Sequence, residues 1–215
     1  MTAVDNWEPS SATYEEIENK RSYLKSTSEW TRHATHLCAR ATQVRFCPRN
    51  LSQISDSPSA HEWKNLWSST QSWAENIPPI MQPILTSLIA SIPSAPPFTF
   101  PLLLHTSRPS LYAAIMHHTT CLLLLEAKPP ALRQLPHLKT PTWHAVQICG
   151  LCVGNNAHWS WDPTILAALV YSGRFISYHE QREELLEFLR LVMEGTGWKI
   201  DQEVDEMVTG WRSDG

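Results

Sequence analysis

The distribution of charge constrains the fold of this chain more than any other feature of its sequence. Between Asn76 and Leu125 the only formal charge is that of Arg108, and between Thr140 and Trp161 there is none. Charged residues crowd instead into residues 1–75 and 180–212. Because Lys, Arg, Asp and Glu are almost never fully buried unless they are paired, we expect the uncharged middle to form the core and the charged ends to cover it.

Prolines divide the uncharged middle into short segments. The chain has 16 Pro against 7 Gly, and seven of these prolines fall between Pro78 and Pro101. Each proline removes a backbone donor and turns the residue before it away from helical geometry. This spacing argues against a membrane span, which needs about 18 uninterrupted apolar residues, and it favours helices bounded by proline over a glycine-rich sheet.

Helix-start signals recur along the chain. Three pairs have the spacing of a capping box, in which a Ser or Thr and a Glu three residues later bond to each other's backbone donors; they are Thr13 with Glu16, Ser59 with Glu62, and Ser177 with Glu180. Two further starts, Thr140-Pro141 and Asp162-Pro163, place proline directly after the capping residue. A short helix is also predicted over Ile84 to Ile92.

The hydrophobic pattern after these starts has the period of a helix, and no segment alternates over the length of a strand. The predicted fold is therefore all-α, a single compact domain of about seven to nine helices. We divide it into residues 1–58, an N-terminal helix and loop packed on the main body, and residues 59–215, the helical body. Gly150 and Gly154 lie about one helical turn apart, which predicts a close neighbour at that helix.

The second half of the chain carries a set of tryptophan-containing and cysteine-containing motifs. They are WDP at 161–163 before a helix of small residues, TGW at 196–198 and a closing tryptophan at position 211. Upstream lie EWKNLWSSTQSW at 62–73, MHHTTCLLLLEAKPP at 116–130 and HAVQICGLCVGNN at 144–156. In this order and spacing, the motifs resemble the fungal-specific transcription factor domain, the regulatory half of fungal binuclear zinc-cluster activators, over Trp63 to Arg212.

The resemblance implies a helical domain that senses a small molecule or a partner protein. The DNA-binding half of that family holds two zinc ions with six cysteines in a short basic segment, whereas this chain has 5 Cys in total and a net charge of −4. The resemblance therefore implies the sensing half without the part that reads DNA. Direct DNA binding is not expected, because the chain also lacks the basic balance of a stand-alone nucleic-acid-binding domain.

The cysteines predict neither a disulfide framework nor a metal centre. Their number is odd, and the polar, acidic N-terminus does not read as a secretory signal, so a cytoplasmic location is expected, or a nuclear one for a regulator. Cys149 and Cys152 form a CxxC with His158 nearby, but both lie among aliphatic residues, which favours core packing over metal binding or redox chemistry. No metal and no other cofactor is predicted.

Four residues are the candidate catalytic groups: His118 first, then His117, Tyr171 and Arg108. His118 lies on the apolar stripe of its predicted helix, where an imidazole facing a cavity could act as a donor or base. The alternative is a core histidine bonded to a backbone carbonyl. Adjacent residues point about 100° apart on a helix, so His117 should face another side. Arg108 stands alone in an uncharged region, so it needs either a partner or solvent.

Tryptophans are the candidate substrate-binding residues. The chain has 10 of them, more than a small helical core needs. Four are predicted to line an apolar cavity with flat, rigid walls; they are Trp67, Trp143, Trp159 and Trp161. A neutral aromatic cavity of this kind suits a hydrophobic molecule such as a polyketide or a terpenoid.

Two functions from different classes fit these features. The signatures GxSxG, HExxH and the phosphate-binding glycine loop are missing. The favoured hypothesis is a cofactor-independent cyclase or isomerase of fungal specialised metabolism, including a cycloaddition catalyst. The alternative is a regulator or co-regulator of a biosynthetic gene cluster that binds a small molecule without its own DNA-binding domain. A scaffold or heterodimer partner is a third reading, and a homodimer is compatible with the first two.

Overall fold

The computed structural model describes residues 14–46, 60–87, 100–132, 138–156 and 162–213, and these form an all-α fold, as predicted. The described residues contain seven α-helices: α1 Tyr14–Phe46, α2 Ala60–Glu75, α3 Arg108–Glu126, α4 Pro141–Gly154, α5 Pro163–Gly173, α6 His179–Thr196 and α7 Asp201–Ser213. Two 3₁₀ turns cover Pro79–Met81 and Pro130–Leu132. None of the described helices combines the length and the apolar character needed to cross a bilayer.

The central helix is α3, and α1, α2, α4 and α5 pack around it. Hydrogen bonds at the two ends of α3 fix the direction of α1. The hydroxyl of Thr31 donates to the carbonyl of Pro109 at 3.2 Å, near the start of α3. Fourteen residues later, Nε of Arg45 lies 3.3 Å from Oε2 of Glu126, at the end of α3. Thus α1 runs parallel to α3 and covers one side of it along most of its length.

The helices α2 and α4 run antiparallel to α3. Near the start of α2, Nε1 of Trp63 donates to the carbonyl of Leu124 at 2.6 Å, close to the end of α3. Near the start of α4, Nδ1 of His144 lies 3.0 Å from Nδ1 of His118, in the middle of α3. The uncharged segments 109–125 and 141–154 therefore meet in the core, as their lack of charge predicts.

Capping residues start three helices at or beside a proline. The side chains of Ser107, Thr140 and Asp162 accept backbone N–H bonds at the starts of α3, α4 and α5. The predictions at Thr140 and Asp162 are confirmed. The first residues of two predicted capping boxes, Thr13 and Ser59, lie outside the described residues.

The capping box predicted at Ser177 and Glu180 is wrong. The N-cap of α6 is Tyr178, and no side-chain hydrogen bond is made there. The side chain of Ile176 is buried, and its carbonyl accepts a hydrogen bond from Nε of Arg182 at 2.8 Å. Burial of Ile176 and its bond to Arg182 hold the chain just before α6, and among the described residues the side chain of Ser177 caps no backbone N–H.

The short helix predicted over Ile84 to Ile92 is wrong where the structure describes that segment, and residues 88–92 lie outside it. Residues Leu85–Ser87 form strand β1, which pairs antiparallel with β2, Leu102–Leu104. The N–H of Ile84 also donates to the carbonyl of Leu104 at 2.8 Å. Pairing of the two strands provides hydrogen-bond partners for these backbone N–H groups. A local sequence pattern does not reveal such pairing.

The side chain of Asn155 ties β2 to the end of α4. Its Nδ2 donates to the carbonyls of Leu103, at 2.6 Å, and Leu151, at 2.8 Å. Its Oδ1 accepts from the N–H of His105 at 2.9 Å. The amide therefore bonds to the backbone of β2 as a neighbouring strand would, and it leaves less of that edge unpaired.

Glycine permits the close contact between α4 and the segment leading into β2. A Cβ placed on Gly150 would lie 2.3 Å from the carbonyl oxygen of Pro101, and one on Gly154 would lie 3.2 Å from Cδ1 of Leu102. The close neighbour predicted at these two glycines is confirmed.

Replacing Gly150 with Ala is expected to lower the free energy of unfolding by about 1–3 kcal/mol, because the new methyl group must push a backbone segment aside. Urea denaturation followed by circular dichroism measures the change. The control is Gly195→Ala in α6, where a Cβ meets no atom within 4 Å. That change should be neutral or stabilising by up to about 1 kcal/mol. Equal stability of Gly150→Ala and the parent protein would contradict the close packing.

Candidate functional site

A chain of histidine and tryptophan rings lies where α3 meets α2 and α4, and we call it the histidine–tryptophan site. Its members are Trp73 on α2, His117 and His118 on α3, and Trp143 and His144 on α4. Neighbouring ring centroids lie between 4.9 and 5.6 Å apart. The site joins two of the predicted catalytic residues to one of the predicted tryptophan walls.

The two histidines of α3 face different sides of the helix, as helical geometry requires. The ring of His117 stacks on Trp73 with centroids 5.3 Å apart, and its Nε2 lies 3.8 Å from Sγ of Cys121. The ring of His118 faces α4, where its Nδ1 lies 3.0 Å from Nδ1 of His144. Only His118 therefore contacts the histidine of the neighbouring helix.

Burial keeps these imidazoles uncharged. It lowers the pKa of His117 to about 4. Burial first, and then the charges of protonated His117 and of Lys139, lower the pKa of His144 to about 3. The pKa of His118 lies well below its ordinary value, because of burial first and then because of His117, His144 and His105. At neutral pH each ring is therefore a neutral imidazole with one N–H donor and one lone pair.

The contact between His118 and His144 determines how they share protons. Two ring nitrogens 3.0 Å apart form a hydrogen bond when a single proton lies between them, since two N–H groups or two lone pairs would repel. One ring then carries its proton on Nδ1 and presents a lone pair at Nε2, while the other presents an Nε2–H. Within the described residues neither Nε2 has a hydrogen-bond partner. The pair thus offers one donor and one acceptor.

Two further ring nitrogens near this site are buried without a partner among the described residues. They are Nδ1 of His117 and Nδ1 of His105. An unsatisfied buried polar atom is uncommon and costs about 1–3 kcal/mol. Burial also lowers the pKa of His105 to about 4. Two buried ring nitrogens in and near the site therefore have no hydrogen-bond partner among the described residues.

The indole of Trp143 forms the open edge of the site. Trp143 is 37% exposed. Its ring stands perpendicular to that of His144, and the two ring centroids lie 4.9 Å apart. The ammonium of Lys139 lies 5.1 Å from its centroid. By contrast Trp73 is buried, and its Nε1 donates to the carbonyl of Trp30 at 3.1 Å. Trp143 is therefore the exposed member of the site, and Trp73 is a buried one.

The predicted catalytic residue Arg108 lies elsewhere, at the first turn of α3. It precedes His118 by ten residues, about 15 Å along a helix axis. Its side chain is 57% exposed and pairs with Oδ2 of Asp162 at 3.3 Å. Arg108 and Tyr112 help to line a groove of about 860 Å³ between α1 and the start of α3, and the lining of this groove does not include the histidine–tryptophan site.

The predicted catalytic residue Tyr171 lies toward the other end of α3. Its hydroxyl donates to Oε2 of Glu126, the carboxylate that also binds Arg45. Glu126 follows His118 by eight residues, about 12 Å along the axis. Tyr171 also lines a groove of about 540 Å³ between α5 and α7. The structure therefore joins His117 and His118 but separates both from Arg108 and from Tyr171.

Of the predicted tryptophan walls, only Trp143 contacts the histidines among the described residues. The ring of Trp67 stacks on Trp63 of the same helix, with centroids 5.2 Å apart and planes 5° from parallel. Trp159 and Trp161 lie outside the described residues. An aromatic wall formed by all four predicted tryptophans therefore stays a prediction.

Sequence reasoning missed His144. A signal for it was present, because His144, Ile148, Leu151 and Asn155 repeat at intervals of four, three and four residues and all are buried on one face of α4. The pattern places His144 on the face that packs into the core. That it meets His118 depends on the crossing of two helices, which no local pattern specifies.

The CxxC of α4 lies in the core, as favoured above. The side chains of Cys149 and Cys152 are buried, and burial raises the pKa of Cys149 to about 12 and that of Cys152 well above its ordinary value. Both thiols therefore stay protonated and pack as small apolar groups. Within the described ranges, no three His, Cys, Asp or Glu side chains are grouped as metal ligands would be.

The fold and the site define an all-α protein with a cluster of neutral histidines between its helices. Comparison with protein-family models, curated proteins and solved structures found no match for this chain. The resemblance to the fungal-specific transcription factor domain therefore stays a prediction from sequence.

Proposed function

We propose that this chain binds a hydrophobic, carbonyl-bearing molecule at the histidine–tryptophan site and catalyses its isomerisation or cyclisation without a cofactor. The substrate would be polyketide-like or terpenoid-like, as in fungal specialised metabolism. The observation that carries the proposal is the group of imidazoles held neutral beside the exposed indole of Trp143. Orienting the reacting carbons within one molecule can supply about 7–11 kcal/mol of the barrier in favourable cases.

A neutral imidazole suits the role of donor to a carbonyl. It polarises the oxygen and stabilises developing negative charge while the site holds no net positive charge in the ground state. One such donor is worth about 2.7–4 kcal/mol by analogy with oxyanion donors. His118 is the first choice, because it anchors its Nδ1 on His144 and leaves its Nε2 without a partner in the described part of the chain.

Replacing His118 with Ala is expected to slow turnover by about two orders of magnitude, because the donor to the transition state is lost. The full chain is incubated with a panel of polyketide and terpenoid carbonyl compounds, products are identified by mass spectrometry, and kcat/KM is measured for the best substrate. The matched control is His61→Ala, which removes an exposed histidine of α2. Circular dichroism verifies that each variant is folded.

The outcomes separate the alternatives. Unchanged turnover in His118→Ala would place the donor elsewhere. If that variant unfolds, His118→Asn repeats the test, because an asparagine amide can still donate to His144. If no compound of the panel is converted, the enzyme proposal fails and the regulator is favoured.

A regulator that binds a small molecule without chemistry is the second candidate, and the groove between α1 and α3 favours it. Its volume of about 860 Å³ falls within the range of about 300–1,000 Å³ typical of small-molecule sites. Thr31, Thr35 and Tyr112 are among its lining residues, and none of its lining residues belongs to the histidine–tryptophan site. A ligand that is not converted, and whose binding is lost in Tyr112→Ala but kept in His118→Ala, would assign the chain to this class.

A further inference from the structure

We propose that His118 and His144 form a proton relay across the contact between α3 and α4, carrying one proton away from a bound carbonyl compound and one proton back in each isomerisation. The inference rests on the proposed function and names its acid–base groups. It starts from the hydrogen bond of 3.0 Å between the two Nδ1 atoms. His144 thereby becomes part of the machinery together with His118.

The two rings are arranged as a path with two ends. Their centroids lie 5.3 Å apart, whereas their Nδ1 atoms lie only 3.0 Å apart. The Nδ1 atoms therefore lie between the rings, and the Nε2 atoms lie on the far sides. Because the two Nε2 atoms point away from each other, they do not act on the same bond. Instead, one end serves the substrate and the other end serves water.

The proton transfers balance over a complete turnover. The Nε2 lone pair of His118 takes a proton from the carbon beside the carbonyl, and the electrons of that C–H bond stay on the substrate as an enolate. The Nε2–H formed in this way is the donor that stabilises the developing negative charge. The Nδ1 proton of the same ring moves to Nδ1 of its partner, whose Nε2 proton passes to water. The reverse path then returns a proton to another position of the enolate. This second transfer completes the isomerisation and restores both starting tautomers.

The surroundings of the pair favour such a concerted transfer over one through a charged imidazole. Burial opposes a positive charge on both rings, and Lys139 before α4 opposes one on His144. In the relay each ring gains one proton as it loses another, so neither holds a net charge. A neutral ring with a low pKa is a poor base when it must hold the proton as a charged imidazolium. It can still pass a proton on when it loses one proton as it gains another.

The first test measures the tautomers directly. Long-range proton–nitrogen NMR spectra of the full ¹⁵N-labelled chain at neutral pH should show one proton between the two Nδ1 atoms and a single Nε2–H for the pair. Spectra in which both rings carry Nε2–H and no proton between the Nδ1 atoms would overturn the relay. So would a bridging metal ion found by elemental analysis.

The second test measures proton exchange on a probe, β-tetralone, a hydrophobic ketone with acidic hydrogens beside its carbonyl. In deuterium oxide the protein should accelerate the replacement of these hydrogens by deuterium, because the abstracted proton, held on Nε2 of the ring that faces the substrate, exchanges with solvent before a proton is returned. Replacing either His118 or His144 with Asn keeps a donor for the partner ring but cannot pass a proton. Each variant should lose about 10²-fold of the acceleration while binding β-tetralone with the same Kd, and His61→Asn should lose none.

The two tests separate failure of the relay from failure of the proposed function. If β-tetralone binds and its exchange is as fast in both Asn variants as in the parent, the relay is wrong and ligand binding stands. If β-tetralone does not bind, the proposed function loses its support, and the tautomer spectra alone decide whether the pair shares a proton. If the Asn variants are unfolded by circular dichroism, the spectra of the parent protein likewise decide.

Discussion

Acidification from about pH 7 to about pH 5 is expected to destabilise this protein by several kcal/mol, a large share of the stability of many domains. In the fold the pKa values of His105 and His117 are about 4 and that of His144 is about 3, because burial penalises the charged ring. In the unfolded chain the pKa of a histidine is about 6.5. Each of the three thus contributes about 2 kcal/mol over this interval.

The sign follows from the direction of the shifts. A histidine whose pKa is lowered by folding binds protons more readily in the unfolded state. The stability that it contributes is therefore fully present above about pH 6.5, falls as the pH drops below that value, and reaches its lowest level below the folded pKa of about 3 to 4. The lowered pKa of His118 acts in the same direction.

Urea denaturation at several pH values between about 7 and 5 tests this expectation. In His144→Asn the slope of stability against pH should decrease by about 1.4 kcal/mol per pH unit near pH 5, the value for one proton. The control is His33→Asn, which removes an exposed histidine of α1 and should leave the slope unchanged. A parent protein equally stable at both ends of this range would contradict the burial of neutral imidazoles.

Replacing Trp63 with Ala is expected to lower the free energy of unfolding by about 3–5 kcal/mol. The indole is fully buried between α2 and α3 and stacks on Trp67. Its Nε1–H donates to the carbonyl of Leu124, one of the last four carbonyls of α3, which lack partners within the helix. The substitution therefore creates a cavity and leaves a buried acceptor unsatisfied.

Two further variants separate these contributions. Trp63→Phe keeps most of the apolar volume but loses the hydrogen bond, and it should cost about 1–3 kcal/mol. The matched control is Trp198→Ala, whose indole is 40% exposed beside the groove between α5 and α7; the expected cost is about 1 kcal/mol or less. Thermal and urea unfolding measured by circular dichroism serve all three. A Trp63→Ala protein as stable as Trp198→Ala would refute the role of Trp63 in the core.

The sequence identified His117, His118 and Trp143 as candidate site residues. It did not indicate which residues of other helices contact them. The stripe through His118 and the angle between adjacent residues placed His118 and His117 on different sides of α3, and both placements hold in the structure. The proximity of His144 to His118 was not predicted. It arises from the antiparallel packing of α4 on α3, which joins residues far apart in the chain.

The separation of Arg108 and Tyr171 from the histidines also follows from helix geometry. Arg108 precedes His118 by ten residues on α3, about 15 Å along the axis, while Tyr171 lies on α5 and bonds to Glu126, eight residues after His118. Ion pairing with Asp162 and hydrogen bonding to Glu126 then fix Arg108 and Tyr171 near opposite ends of that helix.

By itself the sequence determined the helical class, the starts of α4 and α5 at Thr140 and Asp162, and the close approach at Gly150. These features depend on hydrophobic period, on proline and on side chains that bond to nearby backbone, all of which act within a few residues. Only the tertiary structure decided that Leu85–Ser87 is a strand and that Nδ1 of His118 lies 3.0 Å from Nδ1 of His144. Each of these depends on a partner distant in the chain, and the free energy of such a contact is set by packing rather than by local preference.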